Sequence, residues 1–286
     1  MTNLIFNGQI RDAAEALIPV DDRGFLLGDG AFETARAYQG KVFRLPGHLG
    51  RLFRSCEEIQ IRIPWTQEEI AGMTADLIRA NGLDDARVRI TLSRGKHTGA
   101  MGLASASSPT LLITAEPIPA GLDSRRENGI KLMTADVRFS ENNPIFRHKT
   151  LNRLPHLIAR AQAESAGYDE ALVLDERGNV ACCSTGNIFA VQYGQLFTPP
   201  LQGPVLPGIT RAAVLELARA DGMPIREDFF SPLMLAGADE VFMTNSVHEI
   251  VPAIKVNNHL VGSGRPGPVA RGLCKRYQKL TEENYE

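Results

Sequence analysis

The sequence has few of the features that mark a membrane protein, a nucleic-acid-binding protein or a disulfide-rich protein. Its 286 residues include four cysteines and one tryptophan, and the net charge is −2. No apolar run reaches the roughly 18 residues that a transmembrane helix needs, and no basic run is long enough to bind nucleic acid. Residues 1–6 lack a charged segment followed by a long apolar one. We therefore expect a cytoplasmic protein with neither a membrane nor a nucleic-acid partner.

The spacing of cysteine and histidine argues against a metal site. Cys56, Cys182, Cys183 and Cys274 form no Cys-x-x-Cys pair, and the six histidines are scattered without a metal-binding spacing. In a cytoplasmic protein such cysteines are expected to be free thiols.

The remaining composition is that of an ordinary globular chain, with 43% hydrophobic and 22% charged residues. Strand-like and helix-like patterns are mixed along its length, which predicts an α/β (α+β) fold. The strongest linker signal is the Pro- and Gly-containing run from Pro117 to Leu122. We predict a small N-terminal domain over residues 1–117, a linker over 118–122 and a larger C-terminal domain over 123–286.

Several local patterns place elements within these domains. Thr66 and Glu69 have the spacing of a helix-capping box, and residues 87–92 alternate polar with apolar as in a strand with one wet face. Gly99 to Ser108 is small and flexible in composition, and we predict a mobile loop there.

Lys149 lies where irregular chain passes into a helix whose apolar residues are Leu154, Leu157, Ile158 and Ala161. A lysine amine is nucleophilic only when deprotonated, and neighbouring cations such as Arg147 and Arg153 would lower its pKa. Taken alone, the same residues also fit a solvated, basic helix start.

Two short segments fit an anion site. Gly208, Ile209 and Thr210 follow a proline and open a helix, whose first-turn amides can bind a phosphate. Thr244, Asn245 and Ser246 form a second cluster of hydroxyl and amide side chains. Each segment singly also fits a simple turn or cap.

Taken together, these segments and three further motifs resemble the class IV aminotransferases, the fold-type IV pyridoxal-phosphate enzymes, from about Leu4 to Leu273. The motifs occur in one order along the chain: Arg23-Gly24-x-x-x-Gly28-Asp29-Gly30-x-Phe32-Glu33, His48-x-x-Arg51, Lys149-x-Leu151-Asn152, Gly186-Asn187-Ile188-Phe189, Leu206-Pro207-Gly208-Ile209-Thr210-Arg211, and Thr244-Asn245-Ser246 with Glu249-Ile250-x-Pro252.

The resemblance implies two α/β domains with pyridoxal 5'-phosphate in the cleft between them, and a homodimer whose second chain helps to wall the site. It implies that Lys149 forms the Schiff base and shuttles the proton, and that Arg51 binds the phosphate. The remaining cofactor-binding positions that it implies are Cys182, Asn187, Ile209, Thr210 and Ser246. The substrate-binding positions are Phe32, Arg89 and Val247.

One position departs from the family pattern. The family carries a glutamate five residues before the asparagine that matches Asn187, where it bonds the pyridine nitrogen, and here that position is Cys182. A neutral thiol is a weak donor without a fixed negative charge. Either the enzyme works with an unprotonated ring, or it is a slow or narrowed relative.

The predicted activity is transfer of an amino group from an amino acid, with branched-chain substrates favoured, or from an amine, to a 2-oxo acid. Arg89 matches a carboxylate-binding arginine of branched-chain enzymes, whereas Arg87 replaces their tyrosine. The carboxylate trap of the D-amino acid enzymes looks absent, because Gly99 and Met101 occupy its positions.

Three alternatives remain open. An aminodeoxychorismate lyase-like enzyme would release pyruvate without an acceptor. A degenerate cofactor-binding protein would show little turnover, because Cys182 replaces the glutamate. A thiol hydrolase would use Cys182 or Cys183 with a histidine and an acid that the sequence does not identify.

Overall fold

The computed structural model describes residues 3–97, 99, 102–103 and 108–283. Met101 and most of the predicted loop from Gly99 to Ser108 lie outside these residues. Contacts divide the chain into two compact units. The first comprises residues 3–118 with His148–Asn152, and the second comprises Pro119–Arg147 with Arg153–Glu283. Both units combine sheets with helices, so the mixed α/β class is confirmed.

The first unit is built on one antiparallel sheet of six strands in the order β2-β1-β6-β5-β3-β4. Its elements are β1 (Asn3–Phe6), β2 (Gln9–Asp12), α1 (Arg23–Leu27), β3 (Gly30–Tyr38), β4 (Lys41–Val42), α2 (Leu45–Glu58), α3 (Gln67–Ala80), β5 (Ala86–Ser93) and β6 (Thr110–Pro117).

The two long helices of this unit pack on the sheet because each has one apolar face. Leu49 and Leu52 of α2, together with Ile70 and Leu77 of α3, are buried in a core with the apolar residues of β5 and β6. The predicted capping box of α3 is confirmed: the backbone N–H of Glu69 donates to Oγ1 of Thr66 over 3.1 Å, and the backbone N–H of Thr66 donates to Oε2 of Glu69 over 2.8 Å. The alternating burial of β5 confirms a strand with one apolar face.

The second unit contains a nine-stranded sheet in the order β12-β11-β10-β13-β14-β7-β8-β9, with β15 paired to β14. Its strands are β7 (Ile130–Phe139), β8 (Glu170–Asp175), β9 (Val180–Cys183), β10 (Asn187–Gln192), β11 (Gln195–Thr198), β12 (Ile225–Glu227), β13 (Glu240–Asn245), β14 (Glu249–Val256) and β15 (His259–Leu260). Its helices are α4 (Leu122–Asn128), α5 (Leu154–Ser165), α6 (Ile209–Ala220), α7 (Pro232–Ala236) and α8 (Pro268–Glu283). Helix α5 packs on β7 and β8, whereas α6 and α8 pack on each other and on β13. None of the helices within the described ranges has both the length and the apolarity needed to cross a bilayer.

Helix α5 presents its apolar stripe to solvent. The helical period read from Leu154, Leu157 and Ile158 is confirmed, but these side chains are 65%, 61% and 45% exposed. The residues that α5 buries against the sheet are small or polar, including Ala159 and Ala163. The periodicity therefore predicted the helix correctly, although none of the residues that the structure describes covers the stripe.

The segment before α5 belongs by its contacts to the first unit. The backbone N–H of Phe32 donates to the carbonyl oxygen of Lys149 over 2.8 Å, and the N–H of Leu151 donates to that of Gly30 over 2.9 Å. These bonds form an antiparallel bridge between Ala31 and Thr150, which holds residues 149–151 along the start of β3. The structure thus differs from the predicted allocation of Lys149 to the C-terminal domain, because backbone pairing, which sequence distance does not reveal, joins it to β3. The domain division itself stays a prediction.

Candidate active site

Lys149 is positioned by hydrogen bonds of its own carbonyl group and of the residues that follow it. In addition to the backbone pairing with β3, Nδ2 of Asn152 donates to the carbonyl oxygen of Gly28 over 2.9 Å. A side chain at Gly30 is excluded, because its Cβ would lie 2.4 Å from the carbonyl oxygen of Leu92 and 2.7 Å from Leu151. The close approach of the Lys149 segment to β3 therefore requires glycine at this point.

The side chain of Lys149 lies over an aromatic ring that it shares with an arginine. Its Nζ is 4.7 Å from the centroid of the Phe32 ring, and the guanidinium carbon of Arg89 is 3.9 Å from the same centroid. The negative face of an aromatic ring attracts a cation. Three predicted site residues from β3, β5 and the Lys149 segment are therefore brought together within the first unit.

Arg51, also in the first unit, forms an ion pair with the buried carboxylate of Glu33. Its Nε and Nη2 donate to the two oxygens of Glu33, each over 2.7 Å, and Nδ1 of His48 lies 2.7 Å from Oε2 of the same carboxylate. His48 and Arg51 are three residues apart on the buried face of α2, which packs on β3. Glu33 is 1% exposed, so the three side chains form a polar cluster inside an apolar core.

Electrostatics fix the charges in this cluster. Burial alone would raise the pKa of Glu33, but the charge of Arg51 and the hydrogen bonds from Arg51 and His48 lower it to about 2. Burial lowers the pKa of His48; Glu33 opposes this shift, while the charges of Arg51 and Lys149 add to it. Near neutral pH, His48 is therefore uncharged and carries its proton on Nδ1, because an ionised carboxylate only accepts.

The second unit brings together the predicted anion-binding residues. Asn187, at the start of β10, pairs with Thr244 of β13 and donates from Nδ2 to the carbonyl oxygen of Leu206 over 2.9 Å. This places Asn187 against Gly208, the residue before α6, where an added Cβ would lie 2.0 Å from Oδ1 of Asn187. The first-turn amides of α6 and the end of β13 therefore both lie close to Asn187.

Ile209 and Thr210 form the first turn of α6, and Thr210 is buried with its hydroxyl 3.5 Å from that of Tyr277. Ser246 and Val247 lie in the turn after β13. The backbone N–H groups of Val247 and His248 donate to Oδ1 of Asn245 over 3.1 and 2.7 Å, which sets the shape of this turn.

Cys182 lies in β9 with its thiol buried. Burial raises the pKa of Cys182 to about 12, with the charge of Arg153 opposing and that of Glu170 adding to the shift. Burial likewise raises the pKa of Cys183 well above the ordinary value. Both are neutral thiols near neutral pH, which argues against a thiolate nucleophile at either position. Cys182 supplies no negative charge.

A buried carboxylate that sequence reasoning did not assign anchors the turn after these cysteines. Glu170, at the start of β8, accepts hydrogen bonds from the hydroxyls of Ser184 and Thr185 and, over 2.9 Å, from Nη1 of Arg160. Its backbone neighbour Ala171 donates a further N–H over 2.8 Å. Every link of this network lies within the second unit, so it holds the β9–β10 turn in place.

The Glu33–His48–Arg51 cluster was also missed, although its members stand in quoted motifs. A usable signal was present: Glu33 is the only acid in an apolar strand, and His48 and Arg51 lie at i and i+3 on a helix face that also carries Leu49 and Leu52. A buried cationic face needs an anionic partner.

Each unit contains groups of a chemical kind that fits pyridoxal phosphate. In the first unit, Lys149 is an amine of the kind that bonds an aldehyde carbon, and Arg51 is a guanidinium of the kind that binds phosphate. In the second unit, the first-turn amides of α6 and the hydroxyl of Ser246 are also donors of the kind that bind phosphate. The thiol at Cys182 does not match the carboxylate that the family uses at the ring nitrogen. Within the described residues, no group of three or more His, Cys, Asp or Glu side chains is arranged to hold a metal ion.

Comparison with known proteins identifies the family. The family model for amino-transferase class IV matches residues 30–256. A putative branched-chain-amino-acid aminotransferase of Methanocaldococcus jannaschii is 36% identical over 97% of this chain and 96% of its own length. A D-alanine aminotransferase of Staphylococcus haemolyticus is 30% identical over 99% of both chains.

Comparison with solved structures identifies the same family. The crystal structure of the branched-chain amino acid aminotransferase of Escherichia coli superimposes with a TM-score of 0.93, at 31% identity, over 99% of this chain and 97% of that one. Class IV aminotransferases use pyridoxal phosphate. Because the family model covers most of the sequence and similar relatives extend over nearly all of it, this chain belongs to the class IV aminotransferases and is a transaminase.

Proposed function

We propose that this transaminase carries its cofactor on Lys149 and acts on amino donors of the branched-chain type. The observation that carries the proposal is the placement of Lys149 on Phe32 beside Arg89, fixed by backbone pairing to β3. A lysine that serves repeatedly as nucleophile and base must be held in one place, because its amine has to lie within hydrogen-bonding distance of the atom that gives or takes the proton.

The cofactor would be held at its phosphate by Arg51, by the first-turn amides of α6 at Ile209 and Thr210, and by Ser246, with Asn187 shaping the α6 end of the site. A guanidinium and helix amides are strong anion donors. When bound, pyridoxal phosphate supplies the electron sink that stabilises negative charge at the substrate α-carbon. Lys149 Nζ would bond the cofactor and, once displaced, accept and return the α-proton.

Arg89 would bind the carboxylate of the donor, and Phe32 and Val247 would contact its apolar side chain. The names of the relatives support two donor classes, branched-chain amino acids and D-alanine. Arg89 favours the first, because it matches the carboxylate-binding arginine that the sequence suggested for branched-chain enzymes. These relatives do not favour the lyase or the degenerate binding protein.

A homodimer is also proposed. Leu154, Leu157 and Ile158 form an exposed apolar stripe on α5 of the second unit. An exposed row of apolar side chains on one helix face marks a protein interface. Val20 and Phe25 of the first unit are also exposed, by 83% and 74%. A second copy of this chain is the occupant that the family resemblance implies. A cytoplasmic location, expected from the sequence alone, is likewise proposed.

The test is an absorption spectrum of the purified protein loaded with pyridoxal phosphate. We expect a visible band from the lysine-bound cofactor that Lys149→Ala abolishes and that L-leucine bleaches faster than D-alanine. Lys255→Ala is a matched control, because Nζ of Lys255 also lies over an aromatic ring, 5.5 Å from the centroid of Tyr168.

Loss of the band in the Lys255 variant, or its retention in the Lys149 variant, would refute the assignment of Lys149. A band that D-alanine bleaches faster would replace the branched-chain assignment. Pyruvate release without an acceptor would favour the lyase.

A further inference from the structure

Glu33 is the buried carboxylate of a polar cluster, formed with His48 and Arg51, that the proposed function leaves unexplained. It stands in β3, one residue after Phe32, and contacts His48 and Arg51 on the inner face of α2. A plain helix–sheet contact needs no charge there, and the neighbouring buried residues of α2, Leu49 and Leu52, pack through apolar atoms.

A buried ion pair is a poor way to gain stability. Taking a carboxylate and a guanidinium out of water costs about as much as their attraction returns, and apolar residues of similar volume often serve as well. What a bidentate pair does provide is direction, because two parallel hydrogen bonds fix the plane of the guanidinium. The cluster therefore holds Arg51 in one orientation, which apolar residues at the same positions would not do.

His48 adds to the same constraint. Its Nδ1 shares Oε2 of Glu33 with Nη2 of Arg51, so each carboxylate oxygen is engaged and the carboxylate cannot rotate without breaking a bond of 2.7 Å. Glu33, Arg51 and His48 are all less than 5% exposed, so water does not compete for these bonds.

We propose that Glu33 is a positioning residue for the cofactor: it sets the orientation of the Arg51 guanidinium so that this group binds the phosphate, and His48 holds the carboxylate in place. The inference rests on the proposed role of Arg51. Glu33 itself touches neither cofactor nor substrate, and it acts only on affinity for the phosphate-bearing part of the ligand.

The experiment compares the affinities of the cofactor-free full chain for pyridoxal 5'-phosphate and for pyridoxal, which lacks the phosphate. For Glu33→Gln we expect the affinity for pyridoxal phosphate to fall about 10- to 100-fold, as for a lost charge-assisted interaction, while the affinity for pyridoxal stays within about twofold. The ³¹P resonance of the bound phosphate should also shift, since its guanidinium contact changes.

Asp29→Asn is the matched control. Asp29 is also paired with two cationic side chains in the first unit, accepting from Arg23 over 2.8 Å and from Arg94 over 2.7 Å. We expect Asp29→Asn to leave the ratio of the two affinities unchanged, even where it lowers the melting temperature.

Equal falls in both affinities, or no fall for pyridoxal phosphate, would overturn the positioning role. If Glu33→Gln does not fold, Glu33→Asp decides by the same ratio, because it keeps the charge but its shorter side chain cannot reach both nitrogens. Failure of the proposed function is distinguishable: the wild-type protein would then bind neither ligand with a visible band.

Discussion

Lys149 and Arg89 lie on one aromatic ring, with Nζ at 4.7 Å and the guanidinium carbon at 3.9 Å from the centroid of Phe32. Two cations gathered on one ring make a local positive region within the first unit. Burial lowers the pKa of Arg89, and the charge of Arg87 adds to the shift. A substrate carboxylate placed here would relieve the repulsion between these cations.

Arg89→Gln is therefore expected to raise the KM for L-leucine by about 10- to 100-fold, because a hydrogen-bonded charge pair with the carboxylate is lost. Amine donors without a carboxylate should be unaffected. Arg87→Gln is the control, since Arg87 lies two residues away on β5 and pairs instead with Glu116. Steady-state kinetics with both donor types measure the effect, and an equal loss for both donors would contradict carboxylate binding.

Cys182→Glu is expected to speed the half-reaction with an amino donor by about tenfold or more, because a carboxylate at the ring nitrogen strengthens the electron sink. Cys183→Glu serves as the control, since the side chains of adjacent strand residues point to opposite faces. Rapid mixing followed by absorption gives the rate. An unchanged rate in Cys182→Glu would show that this position does not limit catalysis.

The fall of the free energy of unfolding at acid pH should depend on Glu33. Its pKa is about 2 in the folded protein against an ordinary 4.5, so the unfolded chain binds this proton more tightly. The stabilisation is complete above about pH 4.5, is lost as pH falls through 2, and amounts to about 3 kcal/mol. Urea unfolding at several pH values should show a flatter acid limb in Glu33→Gln than in the wild-type protein.

Asp76→Asn is the control for this titration, because Asp76 pairs with Arg79 at the surface and such pairs contribute little. It should keep the slope of the wild-type protein. Equal slopes for Glu33→Gln and the wild type between pH 4.5 and 2 would contradict the assignment of this acid limb to Glu33.

Leu157→Glu should weaken self-association, because it places a charge in the middle of the exposed stripe on α5. We expect the dissociation constant of a dimer to rise by about tenfold or more, measured by sedimentation. Tyr193→Glu is the control, since Tyr193 is 86% exposed in a turn outside the stripe. Equal behaviour of the two variants, or a wild-type monomer, would contradict an interface on α5.

Local structure could be predicted where a pattern has a local cause. The capping box at Thr66, the helix after Gly208 and the half-buried strand around Val88 are each determined by a few neighbouring residues. The family could be identified because separated motifs keep their order. These inferences require no knowledge of which segments pair.

The rest depends on contacts between distant residues. The pairing of Lys149 with β3 joins residues more than a hundred positions apart. The Glu33–Arg51 pair joins a strand to a helix, and the sequence motif that contains Glu33 does not indicate this partner. The helical spacing of the apolar residues predicted the stripe on α5, but the spacing does not show which face of the helix packs on the sheet. Roles of individual site residues stay predictions for the same reason.

The pairing of residues 149–151 with β3 also limits where the chain can be cut into fragments. A fragment ending at Ile118 would contain β3 but not its partner at residues 149–151, which the chain supplies only after leaving the first unit and before returning to the second. Such a fragment would lack the reactive lysine and would expose the unpaired edge of Gly30–Phe32, which favours aggregation. Splitting the gene at the linker would therefore place the lysine and the sheet that holds it in separate chains.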